Sequence, residues 1–81
     1  MEISLDIEEL KWKLDELKVP KRYYSINGEI TPNTYILQQV YSYWEYYYVD
    51  ERGGQNEYRR FDNEDEACGY FLGKLEFEMS H

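Results

Sequence analysis

Tyr43-Trp44-Glu45-Tyr46-Tyr47-Tyr48-Val49-Asp50, followed by Glu51-Arg52-Gly53-Gly54, is the stretch on which the fold turns. Aromatic and β-branched side chains dominate its first eight residues, a composition that fits a pleated, half-buried strand. Arg52-Gly53-Gly54 marks a hairpin, and Glu57-Tyr58-Arg59-Arg60-Phe61 reads as the returning strand. Within residues 43–50, Trp44, Tyr46 and Tyr48 alternate with Tyr43, Glu45 and Tyr47. Burying a carboxylate is costly, so Glu45 assigns its own face to the outside. Trp44, Tyr46 and Tyr48 are therefore expected to face a covering layer, and Tyr43, Glu45 and Tyr47 to face away from it.

Upstream, residues 34–41 form another β-branched and aromatic run, and Tyr23-Tyr24-Ser25-Ile26 reads as a short strand. Asn27-Gly28 and Pro32-Asn33 are turn dipeptides between them. Tight hairpins would make all these neighbours antiparallel. For residues 34–41 and 57–61 either alternation places polar side chains inward, so their registers stay open at this level.

A helix is expected at each end. Ile3, Ile7, Leu10, Leu14 and Leu17 make one apolar stripe at helical spacing, capped by Ser4 or Asp6, with Glu8 and Glu9 in the first turn. Lys18 belongs to its last turn, and Pro20 stops it. Trp12 lies about 200° around the helix from Leu10, so it either folds back over the sheet edge, the reading favoured here, or sits exposed. At the other end Asn63-Glu64-Asp65-Glu66 resembles a capping box. Cys68, Phe71, Leu72, Leu75 and Met79 follow as the buried stripe, with Ala67 beside it, and Gly69 and Gly73 are read as allowing close approach to the sheet. The expected fold is α+β: an α-β-β-β-β-α two-layer sandwich, an antiparallel sheet with its N- and C-terminal helices on one face, and one domain over residues 1–81.

Composition narrows the function. A domain of this size buries only about 60% of the surface its unfolded chain exposes. Ten tyrosines among fifteen aromatic residues exceed what such a core hides, so several are expected at the surface as contact residues. The formal charge of −8 repels nucleic acid and anionic membranes and attracts a cationic protein, although the same charge also serves solubility. A single cysteine rules out an intramolecular disulfide. Met1-Glu2-Ile3-Ser4-Leu5-Asp6 lacks a basic region followed by an apolar run, so no signal peptide is expected there, and no apolar run suits a membrane span. A cytoplasmic protein is expected.

Catalysis finds little support. His81 is the only histidine and the last residue, so Cys68 has no positioned base and reads as a small core hydrophobe. Consecutive helical residues diverge by about 100°, so Glu64-Asp65-Glu66 cannot converge on one metal ion. Arg52-Gly53-Gly54 is too short for a phosphate loop. Tyr-rich strands with Arg59-Arg60 resemble base-stacking RNA platforms only faintly, against the prevailing negative charge. No catalytic residue, cofactor or metal is expected. The candidate site is a partner-binding face of Tyr43, Glu45, Tyr47 and Glu57, with Asp50 and Glu51 at its rim; the first helix with Trp12 is the next candidate. An aromatic centre in an acidic border is the anatomy of a hot spot for a basic partner.

Trp44-Glu45-Tyr46-Tyr47-Tyr48, Glu51-Arg52-Gly53, and Phe61-Asp62-Asn63-Glu64-Asp65-Glu66-Ala67-Cys68 with Tyr70-Phe71-Leu72 resemble small immunity proteins of bacterial polymorphic toxin systems. These include contact-dependent growth inhibition systems. Residues 10–24, with Val19-Pro20, are similar too. The resemblance implies a protein that binds a cognate, cationic toxin domain, often a nuclease, and blocks its active or substrate-binding site. It assigns no site residue. The alternative is a small acidic accessory or phage-type inhibitor that mimics nucleic acid to occupy a DNA- or RNA-binding enzyme. Mimicry needs regular rows of acids, whereas here acids, aromatics and nine basic residues are mixed.

Overall fold

The computed structural model describes residues 5–79. They form α1 (Ile7–Glu16), a short 3-10 turn (Lys21–Tyr23), β1 (Tyr24–Ile26), β2 (Thr34–Val40), β3 (Tyr43–Val49), β4 (Gln55–Phe61) and α2 (Glu64–Met79). Ile3 and Ser4, expected at the start of the first helix, and the terminal His81 lie outside the described residues. The α+β class and the expected order of elements hold.

Asp6 caps α1, its carboxylate accepting the Glu9 amide at 2.8 Å. Two further amides at this end are bonded from α2. The Leu5 N–H donates to Asp65 Oδ1 at 2.7 Å and the Ile7 N–H to Glu64 Oε2 at 2.8 Å. The acids of the second helix therefore serve the first helix's N-terminus as well as their own. At the other end of α1, Lys18 turns left-handed with φ 61°. Its amide donates to the Asp15 carbonyl at 3.0 Å and that of Val19 to Leu14 at 3.1 Å, the double closure of a Schellman motif. Val19 and Leu14 are both buried in the core, so their packing holds a conformation that glycine would adopt more cheaply.

The sheet runs in the order β1-β2-β3-β4. β2, β3 and β4 are antiparallel neighbours, but β1 pairs parallel to β2, with Tyr24 opposite Tyr35 and Ile26 opposite Leu37. This corrects the expectation of a wholly antiparallel sheet. Asn27-Gly28 is not a hairpin turn. Asn27 takes φ 54°, donates its amide to the Leu37 carbonyl at 2.9 Å and accepts the Gln39 amide on Oδ1 at 2.7 Å. Because β1 has three residues, the loop 27–33 is long enough to carry the chain back to the start of β2.

Both helices pack on one face. Leu10 and Leu14 of α1 and Ala67, Cys68, Phe71 and Leu75 of α2 close over Leu37, Trp44 and Tyr46. Tyr46 meets Phe71 and Tyr70 edge-on, with ring centroids 5.9 and 5.2 Å away. Cys68 is buried and unpaired, and burial, reinforced by the charges of Glu64, Asp6 and Asp65, pushes its thiol up to about 12. Asn63 caps α2 through the Glu66 amide at 2.8 Å.

Three expectations on the helices are corrected. Trp12 does not fold over the sheet; it is 58% exposed, because Leu10 and Leu14 claim the opposite side of α1 for the core. Met79 is exposed at the end of its stripe. Gly69 and Gly73 are exposed and make no close approach to the sheet, since a Cβ added at either meets no atom of the described residues within 4 Å beyond its own helix backbone and chain neighbours. Each leaves an interior helical position with glycine's backbone entropy and no packing reason for it. Gly69→Ala and Gly73→Ala should each stabilise the protein by about 1 kcal/mol, raising Tm by roughly 4–8 °C in thermal melts. A fall in Tm would show that this helix face is closely covered.

Candidate functional site

The β2–β3 register sets the sheet face turned away from the helices. Ile36 lies opposite Tyr47, Gln38 opposite Glu45 and Val40 opposite Tyr43, while β4 brings Arg60 opposite Glu45. Tyr43, Glu45 and Tyr47 share this face, as their alternation predicts, but their burial differs. Tyr47 is only 2% exposed and forms a second buried cluster with Ile36 and Val49. The expectation of Tyr47 as a contact residue is thereby corrected: the cross-strand Ile36 and the same-strand Val49 hold its ring as core. Its hydroxyl titrates above the ordinary range because of burial and then the nearby Glu45 charge.

Glu45 organises the more open part of the face. Gln38 Nε2 donates to its Oε1 at 2.7 Å, and the Tyr58 hydroxyl donates to its Oε2 at 2.9 Å. The bond to Glu45 raises the Tyr58 pKa, since losing that proton would leave two anions together. The Arg60 guanidinium stands 4.0 Å above the Tyr43 ring, a cation–π contact that fixes both side chains. Tyr58 is 52% exposed. Here the chain offers two aromatic rings, a carboxylate held by two donors and a guanidinium, all positioned before any partner arrives.

Glu57 is not part of this surface, a second correction. The β3–β4 register shifts between Tyr46 and Tyr48, and Glu57 sits at the shift with φ 61°. An extra residue there makes a bulge, at a left-handed position where glycine is usual. The bulge sends the Glu57 carboxylate to the helix side, where it pairs with Lys74 of α2 at 2.8 Å. That bond, the largest influence on Lys74, raises the ammonium's pKa. The two rim acids differ as well. Glu51 is exposed, whereas Asp50 ties the hairpin: its Oδ1 accepts the Arg52 and Gly54 amides at 2.9 and 2.8 Å, and its Oδ2 the Asn56 side chain at 3.0 Å.

Two residues of this face, and one in the turn that precedes β3, escape a reading of the sequence. Tyr58 and Arg60 reach it only because the bulge resets β4, and a glutamate at the bulge position gives no warning of one. Tyr41, 93% exposed, begins the two-residue turn between β2 and β3 with φ 57°, where glycine is favoured. The Tyr41-Ser42 pair carries no turn signature, and Tyr41 reads as the last residue of a strand.

Among the described residues no group of three or more His, Cys, Asp or Glu is placed to hold a metal ion, and no helix is long and apolar enough to cross a membrane. Comparison with protein-family models, with curated proteins and with solved structures gives no match to this chain.

The Asp50 carboxylate titrates below its ordinary 3.8, through its bond from Asn56 first and then the Gly54 and Arg52 amides. A depressed folded pKa contributes stability above the unfolded value, and that stability is lost as pH falls through the folded one. Asp50→Ala should therefore melt below wild type at neutral pH, with the gap closing as the pH falls below 3.8. A gap unchanged across that range would assign the residue's contribution to something other than its charge.

Proposed function

We propose that this chain is an immunity-type protein, acting in the cytoplasm, that neutralises a cognate toxin domain by binding it through the helix-free face of the sheet. The observation that carries this reading is the partly exposed cluster around Glu45, in which Tyr58, Tyr43 and Arg60 are held in place on the face away from the helices. Rigid aromatic side chains lose little entropy on binding and dominate interface hot spots. The chain's charge of −8 would steer a cationic partner toward it, and the exposed Glu51 adds a rim acid at the hairpin end. The resemblance in residues 10–24 and 44–72 points to the same class of protein. Occlusion of the toxin's substrate-binding cleft is the mechanism we favour, with Tyr41, Tyr43 and Tyr58 as apolar contacts and Glu45, Asp50 and Glu51 as the acidic ones.

A nucleic-acid mimic fits this face less well. Arg60 lies opposite Glu45 and stacks on Tyr43, which breaks the continuous anionic row that mimicry requires.

Co-expression tests the proposal. The toxin encoded beside this gene should kill cells alone and spare them when this protein is present. With the purified pair, Tyr58→Ala should weaken binding at least about tenfold, mainly through the off-rate, and Glu51→Lys should slow association at low salt. If the pair does not associate in size-exclusion chromatography and the toxin stays active in the mixture, the reading is wrong.

A further inference from the structure

On the helix side of the sheet, a cleft of about 450 Å³ runs between α1 and β1. Lys11, Trp12 and Asp15 line it from the helix, Lys21 from the 3-10 turn, and Tyr24 to Ile26 from the strand. β1 is an edge strand. The Asn27 amide donates to the Leu37 carbonyl, which turns the Ile26 carbonyl away from β2. In an extended strand the N–H and C=O of one residue point the same way and successive residues alternate. Ile26 and Tyr24 therefore present their peptide groups to the open edge, and Ser25 directs its own to β2.

The two edges of the sheet are built differently. β4 carries the Glu57 bulge and the charged pair Arg59-Arg60, devices that discourage strand addition. β1 carries neither, and beside it stands the exposed indole of Trp12. The charge is also local. Residues 11–22 hold five basic side chains against two acidic ones, whereas the rest of the chain holds four against fifteen. A cationic, aromatic groove beside a strand edge is thus set into an otherwise acidic protein.

We propose that this cleft accepts an extended acidic segment of a partner protein, which adds to the sheet as a strand beside β1. The backbone of the segment bonds to Tyr24 and Ile26, its apolar side chains pack on Trp12, and its carboxylates pair with Lys11 and Lys21. Asp15 lines the same cleft and disfavours an unbroken acidic run, so an alternating acidic–apolar segment fits best. With only two peptide groups available, the contact is short and its affinity modest. The site lies on the face opposite Glu45 and Tyr58, so it is independent of the function proposed above.

The probe is the blocked peptide acetyl-Glu-Val-Glu-Val-Glu-Val-amide, titrated into the full chain, with its lysine counterpart as control. Trp44 is buried, so a blue shift in tryptophan emission reports Trp12. The glutamate peptide should cause that shift and move the amide resonances of Tyr24 and Ile26. The lysine peptide, and the glutamate peptide on a Lys11→Glu, Lys21→Glu variant, should bind at least about tenfold more weakly. Tyr58→Ala should leave this binding unchanged. Equal binding of both peptides, or no response of Trp12 and these amides to the glutamate peptide, would overturn the proposal. An emission shift produced by raising the concentration of the chain alone would also overturn it, by giving the cleft to a second copy.

Discussion

Strand β3 has to build a core on both of its sides, and the rest of the structure follows from that requirement. Tyr46 and Tyr47 are consecutive, point to opposite faces and are both buried. The two helices cover only one face of the sheet, so the other must shelter Tyr47 with its own side chains, Ile36 and Val49. Each aromatic ring removes about 150–250 Å² from water, which a domain this small cannot forgo. On the helix side the same requirement has a cost. The Tyr46 hydroxyl is buried with no hydrogen-bond partner among the described residues, an arrangement worth roughly 1–3 kcal/mol of lost stability.

Around this strand the backbone adopts left-handed conformations at residues that do not favour them: Lys18, Tyr41 and Glu57. Two of the three have visible compensation. At Lys18 the helix closure packs Val19 on Leu14, and at Glu57 the bulge is tied to α2 through Lys74. Among the described residues Tyr41 has no such tie through its ring, which is 93% exposed in the turn between β2 and β3. Strain kept at an exposed aromatic residue suits a contact surface better than a structural one.

Much of this was legible in the sequence. The order of elements, the capped helix starting after Asn63, the burial of Cys68, and the direction of Trp44 and Tyr46 all follow from periodicity and from the cost of burying Glu45. What was hidden depends on contacts between distant residues. Nothing local to Asn27-Gly28 says that Asn27 will bond to Leu37 and Gln39 and set β1 parallel. Glu57 could not be assigned to the helix side, because the bulge arises from the mismatch between β3 and β4 and not from a turn residue. Tyr47 was placed on its correct face, yet its burial depends on the register that puts Ile36 across from it.

The two faces thus divide the work. The helix side supplies a continuous apolar core, and the other side is a small core grading into an organised polar and aromatic surface. If Tyr47 is not truly packed, that surface has no foundation and the Glu45 cluster would be a set of mobile side chains. Chemical denaturation of Tyr47→Ala tests this most directly. The account predicts a loss of about 3 kcal/mol or more, as for a large aromatic residue taken from a core. A loss within about 0.5 kcal/mol, typical of a surface substitution, would contradict it.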